Sequence, residues 1–324
     1  MKKVISLVLA LVLVLGLALP VMADEVITIG IAQFAEHGSL DNCRVGVIEG
    51  LAQAGYVEGD NIKVVFQNAQ ADMATTNQIA QQMAETTDMV VAIATPIAMA
   101  AFNACMDTEV PVIYTAVSDP YAAQLANAEG LNEYAITGSS DQLPVRNQLT
   151  LIRAMMPEAT KIGILYTTSE TNSESTLKTY QDMAPEFGFE IVPSGIAVGA
   201  DIPMALDSLL PKVDCTTNLT DNTVVSYLPV VLEKSEEAGK PVFGSEIEQV
   251  KIGCIASEGL DYVALGRQTG AMAARVLNGE FAGSIPFEPI KESKLYINSE
   301  VMEQYGLTLP EADMARALDV SSVE

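Results

Sequence analysis

The stretch IGIAQFAEHGSLDN at residues 29–42 returns in altered form as IGILYTTSETNSES at residues 162–175. Each opens with a short apolar segment, Ile29-Gly30-Ile31 or Ile162-Gly163-Ile164, and runs into a polar loop. The landmarks downstream recur as well. The first copy passes through a helical stretch to Ala54-Gly55-Tyr56, an apolar segment from Ile62 to Phe66, then Ala71-Asp72 and a second helix through Met83. Asp88 precedes the apolar run Met89 to Ala94, and Pro111 opens Val112 to Thr115. The second copy passes Phe187-Gly188-Phe189, Glu190 to Val192, Ala200-Asp201 and a helix through Leu210. Asp214 precedes Cys215 to Leu219, and Pro241 opens Val242 to Gly244. The same landmarks in the same order are the mark of an internal duplication.

Short buried strands that alternate with amphipathic helices mean βαβ units, because right-handed crossovers lay the helices on the sheet faces. Each copy is therefore expected to form a doubly wound parallel sheet with strand order 2-1-3-4-5. The fold class is α/β, with two similar lobes. Thr75 or Thr76 and Ser173 or Ser175 are the expected helix caps. No Pro/Ser/Gly-rich linker divides the copies, and residues 136–144 read as a short polar passage. The last strand of the second copy is expected from Ile252 to Ala256, and after it come a helix from Tyr262 to Leu277, another strand from Lys294 to Asn298 and a short helix. So long a tail implies that the chain crosses back between the lobes and builds a hinge.

The N-terminus has Lys2 and Lys3, an apolar run from Val4 to Leu19, and small residues at Val21 and Ala23 ahead of Asp24. That pattern predicts a signal peptide cleaved after Ala23, hence a periplasmic or extracellular protein. No cysteine near the cut suggests a lipid anchor. A formal charge of −25 excludes ordinary nucleic-acid binding, which needs clustered Lys and Arg. At 49% hydrophobic residues the chain can still build substantial cores. Cys43, Cys105, Cys215 and Cys254 show no CxxC spacing, and His37 is the single histidine, so no metal site is expected. In the expected strand order the fourth strand separates Cys215 from Cys254, and free buried thiols are expected. The sequence lacks G-x-G-x-x-G, G-x-x-x-x-G-K-[ST] and G-x-S-x-G, so no cofactor and no catalytic residue is assigned. A racemase with one cysteine per lobe fails on position, since the counterpart of Cys215 lies near Met89.

Ligands of open parallel sheets bind beyond the carboxyl ends of the strands. That rule selects Phe34 to Asp41, Gln67 to Gln70, Thr95-Pro96 and Ala116 to Pro120 in one lobe. In the other it selects Thr167 to Ser173, Asn218 to Thr223 and Ser245-Glu246. These loops are rich in hydroxyl, amide and carboxylate groups, and two such rims facing each other make a cleft. Ser169, Thr171, Asn172 and Ser173, and Thr95, suit a carboxylate at a helix N-terminus. Asp119, Asp221 and Glu246 suit an ammonium group. Phe34, Tyr114, Tyr121 and Tyr166 offer apolar walls. The set fits a zwitterionic amino acid, although turn-forming and capping account for the same residue types.

The segments IGIAQFAEHGSLD, GYVEGDNIKVVFQNAQAD, VAIATPIAMAA, PVIYTAVSDP, TDNTV and LDYVALGRQTGAMAARVLNGE, in that order, resemble the ABC transporter substrate-binding protein family that includes tryptophan- and phenylalanine-binding members. The resemblance implies the type I periplasmic binding protein fold, closure of two hinged lobes on a ligand, and delivery to a membrane permease. It carries a pocket role to Gln33, Glu36, His37, Gln67, Asn68, Thr95, Ser118, Asp119, Ser169, Glu170, Asn172, Ser173, Asp221 and Asn222; Pro96, Ser245 and Glu246 join them from the strand-end loops. Gly38, Thr216-Thr217-Asn218 and Glu246 depart from the family pattern and bear on the ligand's identity. The expected lobes are residues 24–138 with 259–286, and 139–258 with 287–324. The expected protein is a monomer that binds a small molecule, with an amino acid foremost. A receptor's sensing module is the other binding reading.

Overall fold

The computed structural model describes residues 26–322, so the predicted signal peptide lies outside the described residues. The first copy supplies β1 (Ile27–Gln33), α1 (Gly38–Gln53), β2 (Ile62–Asn68), α2 (Met73–Thr86), β3 (Met89–Ile93), α3 (Thr95–Cys105), β4 (Val112–Thr115) and β5 (Ile136–Ser140). The second supplies α4 (Val145–Met155), β6 (Lys161–Thr167), α5 (Thr171–Met183), β7 (Glu190–Ile196), α6 (Ile202–Leu209) and β8 (Cys215–Thr217). It continues with α7 (Asn222–Ser226), α8 (Leu228–Glu237), β9 (Val242–Phe243), α9 (Ile247–Ile252) and β10 (Ala256–Leu260). The tail holds α10 (Tyr262–Leu277), β11 (Glu288–Pro289), β12 (Ser293–Ile297), α11 (Ser299–Gln304), α12 (Glu311–Met314) and β13 (Leu318–Asp319).

The first sheet runs β2-β1-β3-β4-β5-β11 with every pair parallel. Its centre is β3, whose five residues are all buried, as a strand covered by helices on both faces must be. The second sheet runs β7-β6-β8-β9, also parallel. Backbone bonds Gly244 N to Ala256 O (3.0 Å) and Ile255 N to Val242 O (2.8 Å) lay β10 beside β9. β12 then pairs antiparallel with β10, and β13 parallel with β12. Both copies thus show the 2-1-3-4-5 order expected of them.

The chain passes from the first sheet to the second after β5, back after β10, and over again between β11 and β12. The return helix α10 packs on α1 along facing glycines. A Cβ on Gly46 would meet the Val263 carbonyl oxygen at 2.1 Å, and one on Gly266 would meet the Cys43 carbonyl oxygen at 2.1 Å. Gly50 and Gly270 repeat the contact one turn further on.

Three local readings need correction. Residues 136–140 are not a passage but β5, fully buried despite Thr137, Ser139 and Ser140. Their hydroxyls are satisfied inside: Thr137 donates to Ile285 O (2.8 Å), Ser140 to Ser118 O (3.2 Å), and Ser139 bonds Thr115 and Thr269. The segment from Ile252 to Ala256 is not a strand. Glu246 caps α9, which ends at Ile252, and Gly253 turns the chain at φ 142° before β10 begins. The cap of α2 is Asp72, which accepts from Thr75 N at 2.7 Å, and Ser173 and Ser175 lie inside α5. All four cysteines are free and buried.

Candidate ligand-binding site

The strand ends of the two sheets face each other, and the lobes touch across the gap. Ser118 Oγ bonds Thr220 Oγ1 at 2.9 Å, Asn42 Nδ2 donates to Glu248 Oε1 at 3.0 Å, and Ser175 Oγ donates to Asp119. His37 Nε2 lies 3.4 Å from Asn222 Oδ1. Three cavities lie along this seam. A mouth of about 620 Å³ has Phe34, Glu36, Gln70 and Met73 on one side and Ser169, Val198 and Tyr227 on the other. A notch of about 190 Å³ runs between Thr95, Pro96 and Met99 of one lobe and Ser169 and Thr171 of the other. At the hinge end a cavity of about 10 Å³ is lined by His37, Ser39, Asp141 and Tyr262 from the first lobe and Asn222, Glu246 and Gln249 from the second. A larger cavity, about 820 Å³, lies elsewhere, between α10 and residues 286–296, and shares no residue with the strand-end loops.

The backbone is strained where it borders the seam. Gln70, Ala71, Ala94 and Ala116 all have positive φ (53°, 57°, 91° and 54°), at the carboxyl ends of β2, β3 and β4. L-residues adopt such angles at a cost of about 1–3 kcal/mol each, and functional loops are where that cost is tolerated.

Most of the expected residues converge here. Gln33 ends β1 fully buried, donates to Ala35 O (2.7 Å) and Asp41 Oδ1 (3.1 Å), and leaves Oε1 without a protein partner. Thr95 opens α3, 1% exposed, with Oγ1 unpartnered, and Pro96 follows it in the first turn. Glu36 is exposed at the mouth and accepts from Gln70 Nε2 (3.2 Å). Ser118 donates to Asp141 Oδ1 (2.9 Å), while Asp119 accepts from the Tyr121 and Ala122 amides. Ser245 Oγ donates to Leu219 O (3.1 Å), which fixes the turn that aims Glu246.

A second group braces the loops of the second lobe. Glu170 accepts from Asn222 N (3.0 Å), Asn222 Nδ2 (2.7 Å), Thr223 N (3.0 Å), Thr223 Oγ1 (2.9 Å) and Asn172 Nδ2 (3.2 Å). Asp221 caps α7 through Val224 N (2.8 Å) and accepts from Thr167 N (2.6 Å), Thr167 Oγ1 (2.8 Å) and Ser173 Oγ (2.7 Å). Its oxygens are thus engaged within its own lobe. Asn172 keeps Oδ1 unpartnered. Gln67 and Asn68 end β2 at the edge of the first sheet and line none of the three seam cavities; Asn68 Oδ1 accepts from Gln70 N (2.8 Å) as a turn former. Of the expected aromatic walls, Phe34 lines the mouth, Tyr114 is buried under the sheet, and neither Tyr121 nor Tyr166 borders a seam cavity.

Sequence reasoning missed Asp141, Gln249 and Tyr262; Ser39 lies inside the expected loop from Phe34 to Asp41. Asp141, 1% exposed, follows β5 directly, so the strand-end rule finds it once β5 is recognised. Tyr262 OH donates to Asp141 Oδ2 at 2.6 Å.

The seam is acidic, and no Lys or Arg lines any of its three cavities. Burial pushes the Glu246 carboxyl up to about 7, against the hydrogen bonds it receives. Burial, with the neighbouring Asp221 charge, pushes Glu170 up to about 7. Burial also raises Asp141 and Asp221 above the usual carboxylate range. The His37 imidazole is drawn down to about 4 by burial, against the Asn222 contact and the Asp41 charge, and is neutral near pH 7.

Residues 28–321 match the family model of ABC transporter substrate binding proteins. The chain belongs to that family. The substrate-binding protein is 38% identical over 286 residues to the tyrosine-binding protein of Clostridioides difficile (strain R20291), covering 88% of this chain and 82% of that one. It resembles the structure of an ABC domain in complex with L-Trp from Streptococcus pneumonia, with 31% identity, a TM-score of 0.87 and coverage of 91% and 100%. A ligand-free, open structure of a substrate-binding protein from Clostridium difficile is 36% identical and covers 91% and 99%, yet its TM-score is 0.68. Among the described residues of the substrate-binding protein no helix is long and apolar enough to cross a membrane.

Proposed function

We propose that this substrate-binding protein captures an α-amino acid, aromatic ones first, between its lobes and hands it to the permease of an ABC importer. The observation that carries the reading is the lobe setting. At comparable identity and coverage, the chain superposes better on the complex with L-Trp than on the open, ligand-free relative. The cross-lobe hydrogen bonds belong to such a closed arrangement. The unpartnered Thr95 hydroxyl at the start of α3 suits the ligand's carboxylate, since helix N-termini favour anions. Phe34 and Tyr227 at the mouth offer faces for an aromatic side chain. Glu170, Asn172, Ser173, Asp221 and Asn222 act by bracing the loops. In this reading the protein is exported, its leader is removed after Ala23, and it carries out no chemistry on its ligand.

Isothermal titration with the twenty amino acids tests the proposal. L-tyrosine or L-tryptophan is expected to bind tightest, with a matching rise in melting temperature, because a ligand that binds only the folded state stabilises it. Silence across all twenty would overturn the amino-acid reading.

A further inference from the structure

The cavity of about 820 Å³ outside the cleft is within the size range of small-molecule sites. The second of the three crossings, after β10, separates it from the cleft. Asp261 borders this outer cavity, and the next residue, Tyr262, borders the hinge-end cavity of the cleft. One wall is α10, through Asp261, Ala264, Gln268 and Arg275. The other is the third crossing, residues 286–292, and Lys294 and Tyr296 of β12 complete the lining. Gln268 Nε2 donates to Glu288 O (2.9 Å) and Arg275 pairs with Glu288 Oε1 (3.4 Å), which ties the start of the third crossing to α10. The lining therefore spans the hinge, with α10 packed on the first lobe and β12 paired to β10 beside the second sheet. Its chemistry is unlike that of the seam. Phe287 and Ile290 are half-buried and Tyr296 is buried, so the cavity has apolar surface to offer. Of its three acids, Asp261 is turned to the Ala264 amide (3.0 Å) as the cap of α10, and Glu288 is paired with Arg275. Among the described residues Lys291 and Lys294 have no ion pair and no side-chain hydrogen bond, and Glu292 is the one unengaged acid beside them. Two free ammonium groups next to apolar surface, on a chain of net charge −25, mark a place for an anion with an apolar body.

We infer that the outer cavity is a second binding site, for a small amphiphilic anion (a carboxylate, sulfonate or phosphate on an apolar body), and that its occupant favours the closed lobes. A hinge motion that widens the cleft on one side of the second crossing narrows the space on the other side. An occupant of the outer cavity therefore resists opening, and a ligand in the cleft keeps the outer cavity wide. By linkage each tightens the other by the same factor, on the order of 5-fold or more. The site is independent of which ligand fills the cleft; the coupling rests only on two lobes that close on some ligand.

The probes are 8-anilinonaphthalene-1-sulfonate and its uncharged parent, N-phenyl-1-naphthylamine, titrated by fluorescence against the full mature protein. The double variant Lys291→Gln with Lys294→Gln should weaken the sulfonate by about 5–30-fold and shift the parent by less than about 2-fold. Ala264→Phe, which sets a ring into the cavity from a half-buried helix position, should weaken both. Saturating sulfonate should raise the wild-type affinity for L-tyrosine by about 5-fold or more. Displacement of the sulfonate by L-tyrosine would put the probe in the cleft, and sulfonate binding that neither variant weakens would make it a dye on the general surface. Either result overturns the inference, as do absent sulfonate binding and sulfonate binding without a gain in L-tyrosine affinity. If L-tyrosine itself does not bind, the amino-acid reading fails separately, and solution scattering takes over the readout of coupling. The sulfonate alone should then make the wild-type protein more compact, and an unchanged radius of gyration overturns the inference.

Discussion

Glu246 and His37 stand on opposite walls of the same small cavity and pull stability in opposite directions. Glu246 titrates near 7 in the fold against an ordinary 4.5, so its contribution is whole below about pH 4.5 and is lost as pH rises through 7. His37 titrates near 4 against 6.5, so its contribution is whole above pH 6.5 and is lost as pH falls through 4. Each swing is on the order of 3 kcal/mol. Urea unfolding at pH 5, 6.5 and 8 should show stability falling as pH rises, most of it before pH 7, because Glu246 and Glu170 together outweigh His37. Glu246→Gln should remove much of that decline, with Glu170 supplying the rest, whereas His37→Gln should make the protein firmer at pH 5. Parallel wild-type and Glu246→Gln profiles would refute this account. Asp221 is different in kind. It receives four internal donors, so Asp221→Ala should lower stability by about 2–4 kcal/mol, read from denaturant midpoints. Ligand affinity of the folded fraction should stay within about 3-fold. The sequence made Asp221 visible as a strand-end acid, but a carboxylate that caps and one that meets a ligand have the same letter. Only the count of donors around it separates them.

At the scale of elements, strand and helix order followed from the duplicated landmarks because apolar runs buried on both faces have few alternatives. β5 escaped because Thr137, Ser139 and Ser140 look like a loop until their internal partners are known. Asp141 escaped with it. The positive φ at Ala94 and Ala116 left no sign either, since alanine is not a residue that announces a left-handed turn. The α1–α10 seam shows the opposite case, where glycine spacing had a structural meaning. Helix propensity alone favours Gly266→Ala by about 1 kcal/mol. The new methyl, however, would lie 2.1 Å from the Cys43 carbonyl oxygen and 2.8 Å from the Gly46 Cα, backbone atoms that no rotamer change can move. Overpacking of about 1–3 kcal/mol or more should win, and chemical denaturation should register a net loss.

For the molecule as a whole, the contacts that join the lobes are few and polar. Asn42 to Glu248 and Ser175 to Asp119 bridge lobe to lobe beside the cleft, and partly exposed bonds of this kind are worth about 0.5–1.5 kcal/mol each. The double variant Asn42→Ala with Ser175→Ala should weaken ligand binding by about 5–150-fold, mostly through faster release in stopped-flow measurements. Solution scattering should show the mature protein becoming more compact on adding ligand. A loss of affinity far beyond about 150-fold would mean that these two bonds carry the closure themselves.

The glycine-lined seat of α10 on α1 has a bearing on how the protein is made. The helix that completes the first lobe is encoded after every strand of the second copy. A chain emerging N-terminus first therefore holds the bare glycine face of α1 open until residues near 277 arrive, while the parallel sheet of the second lobe is already present in full. Contacts so far apart in sequence form slowly. The first lobe to be synthesised consequently stays incomplete until after the parallel sheet of the second lobe has emerged, and a chain cut short before Tyr262 should leave it the more accessible to proteases.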